Sequence, residues 1–286
     1  MEIGPIWLPE RVHQAPISRE SVEEVLATRP RRICFASTHR NALRHDPGES
    51  WIGRFAVPFS ETVYPVFHAE TGLELFLNRK YGNWWRSIRT DEEYETIQRW
   101  VDANRELVFL RDRLALSIAL GEHMDAPGGR SEIGELEYRA KYHRDPSAID
   151  ALARKCETTI RRLAYYRDAT GVCAVPPSPE KSFDLPSRLA GTISERLGMR
   201  NLTNTIGWRS RKPSLKEVPF NEKWDTLEQV DLSCGRDVAG QKIILVDDLY
   251  QSGITMQYVA MKMIESGAEH VYGLALVKAL RDTDNE

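Results

Sequence analysis

The sequence predicts an α/β protein built on a parallel sheet, preceded by a mixed or mainly helical N-terminal module. Three observations carry this. Ile243 to Val246 and Val271 to Val277 are short, nearly unbroken apolar runs, the pattern of strands buried on both faces. Between them, Met256, Val259, Ala260, Met263 and Ile264 follow the helical period, and Ser266-Gly267 breaks it. A helix enclosed by two such strands implies a right-handed crossover over a parallel sheet. With 286 residues, 41% hydrophobic and 28% charged, the chain can fill a core and exceeds one small domain. The expected division is an accessory module over 1–128 and the α/β domain over 129–286.

The N-terminal elements read less sharply. Ser21 to Ala27 is a short helix candidate, and Arg32 to Ser37 a strand. Ile52 to Pro58 and Val63 to Phe67 read as extended pieces interrupted by proline. Asp91-Glu92-Glu93 suits the first turn of a helix, and the spacing of Ile97, Val101, Val108, Leu110, Leu114 and Ile118 extends that helix to about residue 121. The Gly/Pro-rich segment 121–130 should end it and serve as a linker. Further helices are expected over 149–166 and 185–197, with a strand at Val172 to Val175 stopped by Pro176-Pro177. Residues 201–223 are polar, basic and loop-like, and a connection this long suggests a functional loop.

The net charge of −3 disfavours a broad nucleic-acid surface but permits local basic patches. No apolar segment is long enough for a bilayer span and Met1 to Pro5 carry no secretory pattern, so a cytoplasmic protein without membrane contact is expected. Cys34, Cys156, Cys173 and Cys234 are too widely spaced for a compact zinc module and read as buried reduced thiols. The histidines are equally scattered. Trp84 and Trp85 are expected to pack within the accessory module, with base stacking as the alternative.

The chemistry concentrates at Lys242 to Thr255. Asp247 and Asp248 stand at the carboxyl end of the predicted strand, where open α/β sheets expose their ligand crevice. Gly253 permits close backbone approach, and Ser252, Thr255 and the amides opening the next helix can hold a phosphate. Two carboxylates beside a phosphate site make sense if they grip ribose hydroxyls or a magnesium ion bridging ligand oxygens. The plainer alternative is an acidic strand end followed by an ordinary capped helix. Neither GxxxxGK[ST] nor GxGxxG occurs, which removes a Walker P-loop and a dinucleotide fingerprint.

The stretch Ile243 to Thr255 resembles the phosphoribosyl-diphosphate signature of type I phosphoribosyltransferases: hydrophobic residues, two acids and a small-residue turn ending in Ser or Thr. Val172 to Pro179 is similar to the family's first strand and diphosphate loop, and Ser182 to Pro186 resembles the start of its next helix, especially in the ComF-like branch. The resemblance spans about 148–280. It implies that Asp247 and Asp248 face the ribose hydroxyls and magnesium. It also implies that Leu249, Tyr250, Gln251, Ser252, Gly253, Ile254 and Thr255 form the phosphate loop, and that Pro177, Ser178 and Lys181 serve the diphosphate. The segment 208–216 lies where the family carries a mobile lid, so Arg209, Arg211, Lys212 and Lys216 would close over diphosphate.

The implied activity is a magnesium-dependent transfer of phosphoribose from phosphoribosyl diphosphate to a nitrogenous base, in nucleotide metabolism, by a chain able to form a homodimer. Tyr250-Gln251-Ser252 is bulkier than the commonest family turns, and the N-terminal half lacks the close cysteine pairs of a ComF-like zinc module. These departures motivate the alternative, a non-catalytic sensor of phosphoribosyl diphosphate or nucleotide coupled to a protein or nucleic-acid partner.

Overall fold

A computed structural model describes residues 12–125, 128–178, 182–211, 213, 215 and 218–280. The first element among the described residues is α1 (Arg19–Ala27), which Ser18 caps by accepting from the Ser21 amide. Then follow β1 (Arg32–Cys34), β2 (Leu43–His45), β3 (Gly53–Val57), α2 (Val63–Thr71), β4 (Phe76–Asn78), β5 (Asn83–Ile88), α3 (Asp91–Ala103), β6 (Val108–Leu110) and β7 (Leu116–Ala119). Two helices come next, α4 (Glu132–Tyr142) behind the Ser131 cap and α5 (Pro146–Arg162) behind Asp145, with proline in its first turn. The remainder alternates: β8 (Gly171–Ala174), α6 (Leu185–Leu197), β9 (Arg200–Asn201), β10 (Ile206–Trp208), α7 (Lys223–Val230), β11 (Leu232–Cys234), β12 (Lys242–Tyr250), α8 (Ile254–Glu265) and β13 (His270–Lys278).

A seven-stranded sheet runs β1-β6-β7-β13-β12-β8-β9. The five strands from β7 to β9 are parallel to their neighbours, while β6 and β1 add an antiparallel edge. This is the α/β parallel-sheet class expected from the sequence. Helices cover both faces. On one, α4, α5 and α6 meet Val172, Ala174, Ile244, Val246 and Leu274; on the other, α1, α7 and α8 meet Cys173, Ile243, Leu245, Val271 and Ala275. The alternation of Ile243, Ile244, Leu245 and Val246 between the two cores is the period-2 pattern of a strand buried on both sides.

The N-terminal region is mixed. A second, antiparallel sheet, β2-β3-β5-β4, packs with α2 and α3 around Phe55, Phe67 and Trp100, with Phe55 and Phe67 stacked at 5.2 Å and Phe67 and Trp100 edge-to-face at 5.1 Å. That core is continuous with the α4–α6 side of the large sheet. Because β7 pairs with β13 through Leu116 to Ala119, the large sheet runs across the expected 128/129 division, and strands β1, β6 and β7 of the first 128 residues belong to it.

Three local expectations are corrected. The long helix ends at Ala103, and Asn104 bonds back to Trp100. Leu107, Leu110, Leu114 and Ile118 mimic a helical stripe, but Val108-Phe109-Leu110 and Leu116 to Ala119 are buried at every residue, and the polar turn Arg111–Arg113 reverses the chain between them. Val63 to Phe67 is helical. Val63, Val66 and Phe67 bury one face at i, i+3 and i+4, and Pro65 sits in the first turn, where its missing N–H leaves no bond unmade. Finally, β12 continues through both aspartates to Tyr250, whose partner in β13 is Lys278.

Candidate functional site

The site follows from the connections of β8 and β12. These strands are parallel neighbours; β8 continues into α6 on one face of the sheet, and β12 into α8 on the other. Chain leaving adjacent strands in opposite directions opens a crevice at their carboxyl ends. A cleft of about 460 Å³ occupies that position. Val175 to Ser178 form one wall and Asp247 to Thr255 the other; Arg211 and Lys223 border it from the β10–α7 side, and Lys141 from α4.

Residues 249 to 255, the expected phosphate loop, form one continuous turn along the cleft, and their side chains divide between core and solvent. Gly253 caps α8 with φ +81, the left-handed conformation glycine favours. An added Cβ would fall 2.2 Å from the Tyr250 hydroxyl, because the Tyr250 ring is folded beneath the turn. Tyr250, Ser252 and Ile254 are buried, whereas Leu249, Gln251, Gly253 and Thr255 retain exposure on the cleft side. The turn therefore offers mainly backbone amides at the N-terminus of α8, whose first turn contains no acid.

The bulky turn is braced from the N-terminal region. The Tyr250 hydroxyl donates to Asp112 Oδ2 at 2.9 Å, and Arg31 Nη2 donates to the Ser252 carbonyl at 3.1 Å. Asp112 also accepts from the Leu114 amide at 3.0 Å. Burial pushes the Asp112 carboxyl above its ordinary 3.8, against the hydrogen bonds it accepts and the nearby Arg31. The stability linked to that raised value is complete below about pH 3.8 and is lost as pH rises through the folded-state value. Asp112→Asn, which never ionises, should thus gain stability relative to the natural chain between pH 4 and 7. Urea midpoints at the two pH values check this, and a pH-independent difference would contradict it.

The acidic pair is held asymmetrically. Asp247 Oδ1 accepts from the Asp248 amide at 2.9 Å. Asp248 Oδ2 lies 2.7 Å from Lys141 Nζ, and the same ammonium is 3.3 Å from Glu137 Oε1, one turn earlier on α4. Burial opposes the Lys141 charge, but the Asp248 and Glu137 carboxylates outweigh it and raise its pKa above 10.5. Glu137, the more weakly paired acid, goes the other way: burial lifts its carboxyl above 4.5 despite Lys141, and the Asp248 charge adds to the rise. One cation thus sits between two carboxylates at the rim of the cleft.

The remaining residues distribute as follows. Pro177 and Ser178 line the cleft, and Lys181 lies outside the described residues. Of the expected lid, Arg211 borders the cleft, while Arg209 pairs with Asp231 at 3.1 Å; Lys212 and Lys216 lie outside the described residues. Asp184 also borders the cleft, its carboxylate capping α6 through the Ser187 amide at 3.0 Å. Sequence reasoning missed Lys141, Glu137, Lys223, Asp112 and Arg31. The signal for the first two was the i,i+4 acid–base spacing on α4, indistinguishable in sequence from a solvated surface pair.

Among the described residues, no group of three His, Cys, Asp or Glu side chains could hold a metal ion. Asp247 and Asp248 are two carboxylates of the cleft that could share a cation with a bound ligand. No helix among the described residues is long and apolar enough to cross a membrane.

Fold and site together define an α/β protein with a crevice at a switch point of its sheet, walled by an acidic strand end and a left-handed glycine turn. No family model matches the chain, and no curated protein matches it. Among solved structures, it is similar to phosphoribosylpyrophosphate synthetase from Mycobacterium smegmatis, at 18% identity and TM-score 0.30, over 45% of this chain and 33% of that one. It is also similar to the glutamine phosphoribosylpyrophosphate amidotransferase of B. subtilis, at 18% identity and TM-score 0.35, over 49% and 30%. A third is adenine phosphoribosyltransferase from Thermoanaerobacter pseudethanolicus, at 17% identity and TM-score 0.32, over 48% and 83%. The chain spans about a third of the length of the first two.

Proposed function

We propose that the cleft binds phosphoribosyl diphosphate and that the chain transfers phosphoribose to a nitrogenous base. The observation that carries this is the acidic pair at the end of β12, followed within one turn by left-handed Gly253 and the amides opening α8. Those amides suit the 5-phosphate, and the carboxylates suit the ribose hydroxyls. In the reaction, the bond from ribose C1 to the diphosphate oxygen breaks with its electron pair leaving on diphosphate, and a base nitrogen donates the pair that forms the new C1–N bond. The sugar gains positive character as this happens. Asp247 and Asp248 would stabilise it, and Arg211 would meet the charge on the departing group. Magnesium held by these aspartates and the substrate would neutralise the diphosphate. Lys141 holds the Asp248 carboxylate in place through its 2.7 Å contact. A homodimer and a cytoplasmic setting belong to the same reading.

A second reading is favoured by one feature. Arg31 and Asp112 brace the loop from the N-terminal region, so occupancy of the pocket could be passed to that region without any chemistry. Release of diphosphate, followed across a panel of purine, pyrimidine and related bases, separates the two. Turnover with any base supports the transferase; tight binding with no release across the panel supports the sensor.

A further inference from the structure

We propose that the outer face of the β2-β3-β5-β4 sheet binds single-stranded nucleic acid. The strand register fixes which side chains share this face. Phe55 and Val57 of β3 point into the core, so Arg54 and Ala56 lie on the opposite face. Cross-strand pairing then puts Arg44 beside Arg54, Trp85 beside Ala56, and Phe76 beside Trp85. Asn83 follows Trp85 by two residues and shares its face. The sheet thus carries aromatic rings at one side and guanidinium groups at the other.

These side chains are uncovered. Tyr81, at the β4–β5 turn, is 70% exposed, Phe76 42% and Trp85 37%. A shallow depression of about 710 Å³ is bounded by Trp85, Tyr81, Asn83, Arg40, Arg44 and Arg54. Its lining includes three arginines and His39 and no carboxylate, in a chain whose net charge is −3. Arg40 and Arg44 each use Nε on a backbone carbonyl of the neighbouring loop, which holds the guanidinium groups at the rim. Arg54 is paired with Asp46 at 3.0 Å, an exposed pair that phosphate can displace at little cost.

This combination selects the ligand. Rings exposed on a sheet stack bases, and arginines spaced across the same face neutralise phosphates. A duplex hides its base faces and would leave Trp85, Phe76 and Tyr81 unused. An acidic peptide would use the arginines but not the rings. The depression is separate from the cleft at the end of β12, and no residue lines both.

The test is fluorescence anisotropy with labelled twelve-nucleotide dT and U oligomers, a twelve-base-pair duplex, a mononucleotide and an acidic peptide as separate arms. Binding of the single strands should exceed that of the duplex and of the peptide, and should weaken as salt is raised. Trp85→Ala should weaken it at least about fivefold, with partial recovery in Trp85→Tyr. Arg44→Ala, which leaves the rings in place, should flatten the salt dependence. The dT and U arms decide between DNA and RNA as the source of the same chemistry. No binding at low salt, equal binding by the Trp85→Ala chain, preference for the peptide, or a solution dimer whose interface buries Trp85 would each overturn the proposal.

Discussion

Gly253→Ala is expected to weaken phosphoribosyl diphosphate binding at least about tenfold and to lower stability by about 1–2 kcal/mol from the backbone alone. The glycine stands at φ +81, and a methyl group there would lie 2.2 Å from the Tyr250 hydroxyl and 2.3 Å from the ring carbon that bears it. Neither group can give way easily. Tyr250 is buried and bonded to Asp112, and the Ser252 carbonyl is fixed by Arg31. The strain must instead displace the turn, and with it the amides at the start of α8. Gly198, also left-handed at the end of α6, has nothing within 4 Å of an added Cβ. Gly198→Ala should therefore cost only backbone strain and leave ligand binding unchanged. Thermal unfolding and calorimetry on the two variants separate strain from loss of the site, and equal binding by both would contradict the assignment of the turn.

Lys141→Met is expected to destabilise the fold by about 3 kcal/mol, or roughly 6–12 °C in Tm, because it removes the cation that Asp248 and Glu137 share. The methylene stem is retained in the variant, so the loss reports charge. Lys141→Arg should retain most of the stability, and Glu137→Gln added to Lys141→Met should recover part of it by removing one of the two orphaned acids. The sign with pH follows from the raised Lys141 value. Its contribution is complete below about 10.5 and lost as pH rises through the folded-state value, so the difference between natural chain and variant should be flat from pH 7 to about 10. Denaturant midpoints over that range check this. A loss under about 1 kcal/mol would mean that Asp248 does not depend on Lys141.

The C-terminal half was legible because its pattern had one interpretation. Ile243 to Val246 is too short for a helix and apolar on both faces, and the α8 stripe stops at Ser266-Gly267, so strand, helix and strand appear where the periodicity places them. In the N-terminal half two periods compete. Leu107, Leu110, Leu114 and Ile118 fit a helix as well as they fit two strands, and only the pairing of β7 with β13, more than 150 residues later, decides between them. Val63 to Phe67 is the reverse case, a β-branched and aromatic run whose helical form is set by the packing of Val66 and Phe67 against the small sheet.

The site divides along the same line. Asp247, Asp248 and Gly253 were expected together because the role proposed for them depends on local spacing along one strand and turn. Lys141, Asp112 and Arg31 could not, because they reach the turn from 107, 138 and 221 residues away. The inward fold of Tyr250 was hidden for the same reason. A large residue in a small-residue turn looks like a misfit until its ring is seen beneath Gly253, bonded to Asp112.

The central claim is that this cleft is a phosphoribosyl-diphosphate pocket, and isothermal calorimetry tests it most directly. Phosphoribosyl diphosphate is titrated with and without magnesium into the natural chain and into Asp247→Asn, a substitution that leaves the Lys141–Asp248 pair intact. The account predicts one site per chain, tighter binding with magnesium, and at least about a tenfold loss in the variant. No binding at millimolar ligand in either condition, or equal binding by the two chains, would contradict it.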